Sequence, residues 1–252
     1  MTLDTPPNPD AIARDLHGSA ALVTGGSKGI GYGIAAALVD AGVHVTITAR
    51  NEDEVRSSAE ALAERGGGRA LGVRCDVRDL QQQRDAVRAS LEAHGRLDAL
   101  IANAGVGAFA SIEELEPDAW QAVIDTNLTG VFYSVKAALD PIREANGTIV
   151  TIGSLAGTNF FAGGAAYNAS KFGLTGFSQA IMLDLRKHGV RVSTIMPGSV
   201  ASHFNRHQPS DADAWKIQPE DIGALVLTLL RMPDRTLPSK IEVRPSRPPS
   251  TR

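Results

Sequence analysis

The chain has 252 residues, 43% of them hydrophobic and 21% charged, with a formal net charge of −3. That length and balance suit one soluble domain with a sizeable core. They give no electrostatic case for nucleic acid, and no apolar run approaches the roughly 18 residues of a membrane span. The single cysteine, Cys75, cannot close an internal disulfide and fits a reducing, cytoplasmic setting.

Residues 1–18 begin with a proline-containing stretch that lacks a basic leader, so they read as a flexible lead-in and not as a secretory signal. Residues 20–23 form an apolar run that reads as a short buried strand. It leads through Thr24-Gly25-Gly26-Ser27-Lys28-Gly29-Ile30-Gly31 into 30–41, which has the composition of a helix with small residues on one face. Strand, glycine-rich turn and helix together present backbone N–H groups and a helix N-terminus to an anion. Glycines serve such a turn because some must take positive φ and others must let a pyrophosphate reach the backbone. A glycine-rich surface turn has a similar local sequence.

A second strand follows at 43–48, rich in β-branched residues. The helix at 51–65 has Asn51 as N-cap and is ended by Gly66-Gly67-Gly68. The third strand, 70–75, is closed by Asp76; the helix at 79–94 is stopped by Gly95. The fourth strand, 97–102, leads into Asn103-Ala104-Gly105. Pro117 suits a first helical turn, and one long helix is expected to about residue 139. A fifth strand at 147–152, a long helix at 165–187 and a sixth strand at 190–196 stopped by Pro197-Gly198 come next. A helix from Pro219 and a short strand at 240–243 precede a proline-containing tail, 245–252.

Strands alternating with helices predict an α/β Rossmann fold over 19–244. This is one doubly wound domain with about seven strands, mostly parallel, and helices on both faces. Ligands bind such sheets at the carboxyl ends of the strands. That rule places the glycine turn, Ala49-Arg50, Asp76, Asn103 to Gly105, Ser154 and Pro197-Gly198 along one edge. Tyr167-Asn168-Ala169-Ser170-Lys171 sets Tyr167 and Lys171 four apart on one helix face. A lysine ammonium there favours the phenolate and lowers the phenol pKa from about 10. Ser154, thirteen residues earlier, can reach the same point from a strand end. Taken alone, Tyr-x-x-x-Lys is also the pattern of a surface pair on an amphipathic helix.

Together these motifs resemble those of the short-chain dehydrogenase/reductase family, over roughly residues 20–243 and most of all its 3-oxoacyl-carrier-protein reductases. Thr24 to Gly31, Asn103-Ala104-Gly105, Tyr167 with Lys171, and Pro197-Gly198 match in order. The resemblance implies that Tyr167 is the general acid in carbonyl reduction and that Ser154 binds the carbonyl oxygen. Lys171 would tune Tyr167 and hold the nicotinamide ribose, while Asn127 would place a relay water. It also implies cofactor contacts from Gly25, Ser27, Lys28, Gly29, Ile30, Gly31, Asp76, Val77, Asn103, Ala104, Gly105, Pro197, Gly198, Val200 and Ser202. Three departures stand out. Ala102 and Ser202 replace a common Asn and Thr, and 241–245 lacks a glycine pair.

The cofactor is argued from charge. An NAD enzyme of this architecture carries an acid at the end of the second strand, where Ala49 and Arg50 stand here. Arg50 and Lys28 suit a 2′-phosphate, so NADP(H) is expected over NAD(H). The expected activity is reduction of a carbonyl, such as a 3-oxoacyl thioester. The alternatives are small ketones, aldehydes or cyclic alcohols, or a catalytically silent cofactor-binding regulator. His203, His207, Asp211 and Asp213 read as solvated loop residues with no metal, and Trp120 and Trp215 as packing residues, with Trp215 also placed to line the substrate mouth. Residues 199–218, around the substrate, offer neither a fixed charge pair nor an aromatic wall. The family implies a homotetramer, with a dimer as fallback. The expected partner is a small-molecule substrate, with neither nucleic acid nor membrane.

Overall fold

Strands β1 (Ala20–Thr24), β2 (His44–Ala49), β3 (Ala70–Arg74), β4 (Ala99–Ala102), β5 (Thr148–Ile152), β6 (Arg191–Pro197) and β7 (Lys240–Val243) form one sheet. Its order is β3-β2-β1-β4-β5-β6-β7, and every neighbouring pair is parallel. The helices between them are α1 (Gly29–Asp40), α2 (Glu52–Ala63), α3 (Leu80–His94), α4 (Pro117–Ile124), α5 (Gly130–Glu144), α6 (Ala165–Leu185) and α7 (Pro219–Arg231). This computed structural model describes residues 13–247. Residues 1–12 and 248–252 of the expected lead-in and tail lie outside the described residues.

The central strands are buried on both faces, so their apolar runs are nearly continuous instead of alternating. Neighbouring residues still serve different layers. Ala21, Val23, Ile101 and Val150 pack with α1, α2 and α7, whereas Leu22, Leu100 and Ile149 pack with α3 and α5. The caps follow the sequence signals. Asn51 accepts from the Glu54 N–H, Asp79 accepts from Gln81 and Gln82, and Gly95 ends α3 at φ +78°.

Three expectations change. Residues 13–18 are tied down, because Arg14 N–H donates to Arg231 and Leu16 is buried in the core. The single helix expected from Pro117 is instead α4, a π-helical turn at Asp125–Thr129, and α5. It also runs past residue 139 to Glu144, with Pro141 inside. Pro141 falls so near the end that it removes one terminal hydrogen bond and does not break the helix.

His94, in the last turn of α3, lies 5.6 Å from the His44 ring. Burial, with Arg69 and His44 adding to it, pushes its pKa down from 6.5 to about 4. Above pH 6.5 the imidazole is neutral whether the chain is folded or not. Between 6.5 and about 4 only the unfolded chain takes the proton, so stability falls as pH falls. After discounting for residual solvent contact, the loss is on the order of 2 kcal/mol. Urea unfolding at pH 7 and pH 4.5 should therefore show a smaller acid loss for His94→Gln than for the wild type. An equal loss in both proteins would remove His94 as the cause.

Candidate active site

The strand order reverses between β1 and β4, and the carboxyl ends of these strands open a cleft of about 910 Å³. The glycine turn forms its floor. Gly25 and Gly29 take φ +64° and +56°, a region that disfavours residues with a Cβ. The turn is fixed to its neighbours. Gly26 N–H donates to Thr48 O at 3.0 Å, and the Asn103 side chain donates to the carbonyls of Thr24 and Gly25 at 2.9 and 3.0 Å. Thr24 Oγ1 accepts from the N–H groups of Asn103 and Ala104. Lys28 is the N-cap of α1 and makes no side-chain capping bond, and the first turn contains no acid. The amides of that turn are therefore free to bind an anion, which fits a dinucleotide diphosphate.

At the other end, β5 delivers Ser154 and the start of α6 delivers Tyr167 and Lys171. Lys171 Nζ is buried, donates to Ile152 O at 3.0 Å, and lies 5.7 Å from the Tyr167 ring centroid. Burial lowers its pKa to about 8. Burial raises the Tyr167 phenol above its ordinary value, and a hydrogen bond from Ser154 pulls the other way. Thus burial, and not the lysine charge expected from sequence, sets the direction, and the phenol keeps its proton at neutral pH. Asn127 sits fully buried in the π-helical turn. Its amide donates to Val106 O and Ser170 Oγ, and its Oδ1 accepts from Val106 N–H at 2.8 Å. Both N–H donors are used, leaving one lone pair on Oδ1.

The cleft wall includes every residue expected from sequence apart from Gly31 and Asn127. Gly31 lies behind the turn, where a Cβ would collide with the Gly25 carbonyl and come within 2.6 Å of Asn103 Nδ2. It lets α1 pack on the turn and does not face the cleft. Asp76 lines the cleft but is clamped by Arg78, with contacts of 2.6 to 3.1 Å. That guanidinium holds its carboxyl below the usual range. Lys28 Nζ lies 3.0 Å from Glu54, so one expected phosphate ligand already has a counter-charge.

The loop after β6 differs most from expectation. Asp213 is buried and holds His207 Nε2 at 2.6 Å and Lys216 Nζ at 2.5 Å. These two partners hold its carboxyl far below the usual range. The loop therefore contains a fixed charge cluster, and Asp213 is not solvated. Among the described residues, no group of three or more His, Cys, Asp or Glu could hold a metal ion. Phe204, from the same loop, lies 5.5 Å from the Tyr167 ring and 6.3 Å from Phe109. An aromatic wall does exist there: Phe204 and Tyr167 both line the cleft, and Phe109 packs against them. Trp215 is covered by the Lys216 ammonium at 5.9 Å.

A family profile described as short chain dehydrogenase matches residues 19–213. Trans-4-hydroxycyclohexanecarboxylate dehydrogenase of Sinomonas cyclohexanicum is 38% identical over 185 residues, 71% of each chain. A 3-oxoacyl-[acyl-carrier-protein] reductase of Synechocystis sp. is 31% identical over 225 residues, covering 86% of this chain and 91% of the relative. Glycine betaine reductase ATRR of Emericella nidulans is 32% identical over 241 residues, but the chain spans only 19% of its length. A metagenomic short-chain oxidoreductase solved in complex with NADP superposes with a TM-score of 0.81 at 36% identity, over 93% of this chain and all of that one. With the fold, the glycine turn and the profile in agreement, the chain belongs to the short-chain dehydrogenase family.

Proposed function

We propose that this oxidoreductase is an NADP(H)-dependent carbonyl reductase of the cytoplasm. The observation that carries the reading is the convergence of Ser154, Tyr167 and buried Lys171 at one end of a cleft whose other end is a glycine cradle. When bound, the reduced nicotinamide supplies the hydride. The chain's own groups do the rest. The uncapped α1 terminus would hold the diphosphate, Arg50 and Lys28 the ribose phosphate, and Asp76 and Val77 the adenine. Gly198, Val200 and Ser202, which line the cleft, would hold the carboxamide, and Lys171 the ribose. Tyr167 gives its phenolic proton to the substrate oxygen, and Ser154 donates a hydrogen bond to that oxygen as charge develops.

The test is NADPH oxidation against a panel of ketones, aldehydes and an acyl thioester. Turnover of any member supports a reductase; failure of all supports a silent cofactor-binding protein. Among the described residues no helix is long and apolar enough to cross a membrane.

The assembly proposed is a homotetramer, with a dimer as fallback. Trp120 on α4, Phe132 on α5, and Phe172 and Leu183 on α6 are 39–55% exposed on the single chain, more apolar surface than these helices need. Trp120 is thus not a core residue of the monomer. Light scattering at micromolar concentration should give four chains per particle; a stable monomer would overturn both assemblies.

A further inference from the structure

Phe204 lines the cleft beside Tyr167, the proposed proton donor. Its ring lies 5.5 Å from the Tyr167 ring and 6.3 Å from Phe109, and Phe109 lies 5.4 Å from Tyr167. Interplanar angles of 54° to 69° make the three rings a tilted cup. Phe161 extends it at 5.9 Å from Phe109. Gly107 makes room for this arrangement, because a Cβ there would stand 2.8 Å from the Phe204 ring and 3.0 Å from Phe109.

Phe204 is partly open to solvent. It is 36% exposed, and its own N–H reaches Ser202 Oγ only at 3.4 Å. The next residue, Asn205, is in the left-handed region at φ +54°, which asparagine tolerates better than most residues other than glycine. An aromatic ring from the loop after β6 thus lines the cleft beside the proposed proton donor, as part of an apolar cup.

We infer that the carbonyl substrate is an uncharged ketone on a six-membered ring, which packs against the Phe204 ring beside Tyr167. Phe204 is then the specificity-determining residue. This rests on the carbonyl-reductase reading and names its substrate class. Tilted aromatic walls favour the edges and faces of a compact ring over a flexible chain, whose rotors must be frozen on binding.

The experiment compares cyclohexanone with hexan-2-one, of equal carbon number, and with an acetoacetyl thioester, using NADPH and NADH. Wild type should reduce cyclohexanone with at least tenfold higher kcat/KM than hexan-2-one. Phe204→Ala and Phe204→Leu should narrow that ratio to threefold or less while still reducing hexan-2-one. A wild-type ratio near one, or the thioester as best substrate, overturns the ring assignment and leaves carbonyl reduction standing. An unchanged ratio in both variants overturns the role of Phe204. Calorimetric titration of the cofactor-free protein with cyclohexanol and hexan-2-ol reads the cup without turnover. Cyclohexanol should bind at least fivefold tighter to wild type and lose that advantage in Phe204→Ala. Equal binding of the two alcohols overturns the inference even if no carbonyl is reduced.

Discussion

Tyr167→Phe is expected to lower kcat for carbonyl reduction by at least a hundredfold while leaving cofactor affinity nearly unchanged. The ring packs edge-on against Phe109 and beside Phe204, and phenylalanine keeps both contacts. Only the hydroxyl is lost, and with it the proton that must reach the substrate oxygen. General acid catalysis contributes about 10²–10⁴-fold. The buried phenol keeps its proton at neutral pH and so is present as a donor, although burial makes it a weaker acid. Steady-state kinetics, with cofactor titration by fluorescence, separates the lost proton from a collapsed cleft. A variant retaining more than a tenth of wild-type kcat would show that another group is the acid.

The sheet was legible because each signal was local. A β-branched or apolar run, a capping Asn51 or Asp79, and a left-handed Gly95 each act within a few residues, and the parallel order follows from their alternation. Site residues carried by short motifs were legible for the same reason. Features that depend on distant pairs were not. The aromatic cup joins Phe109, Tyr167 and Phe204, which no sequence window contains together. The Asp213 cluster likewise depends on how the loop folds back. The π-helical turn at Asn127 leaves no mark in helical periodicity, although it orients a buried amide toward Val106 and Ser170. Gly31 shows the opposite error. Its place in the motif is right, but the missing Cβ there serves packing against Gly25 and Asn103, away from the cleft wall. Spacing identifies which residues a turn needs before it says which way they face.

Wild type is expected to use NADPH at least tenfold more efficiently than NADH, and Ala49→Asp/Arg50→Ala should lose or reverse that preference. β2 ends at Ala49, and Arg50 follows it, exposed, on the cleft wall. Neither position bears the carboxylate that would accept from a ribose hydroxyl and repel a 2′-phosphate. Among the described residues Arg50 forms no ion pair, so its guanidinium can meet a phosphate in bidentate fashion. Lys28 is less available, being paired with Glu54 at 3.0 Å. An exposed pair of that kind contributes only about 0–1 kcal/mol, so a phosphate dianion can compete for the ammonium, but the Glu54 charge opposes it. Hydrogen bonds to charged groups contribute about 1.5–3 kcal/mol, and 1.4 kcal/mol is tenfold in affinity. One such bond from Arg50 would therefore be enough for the expected tenfold preference after screening. Glu54→Gln should raise it further by freeing Lys28. The measurement is kcat/KM with each cofactor for the three proteins. Equal efficiency of NADPH and NADH in the wild type would show that Arg50 does not reach the phosphate, and a preference unmoved by the double variant would place the discriminating charge elsewhere.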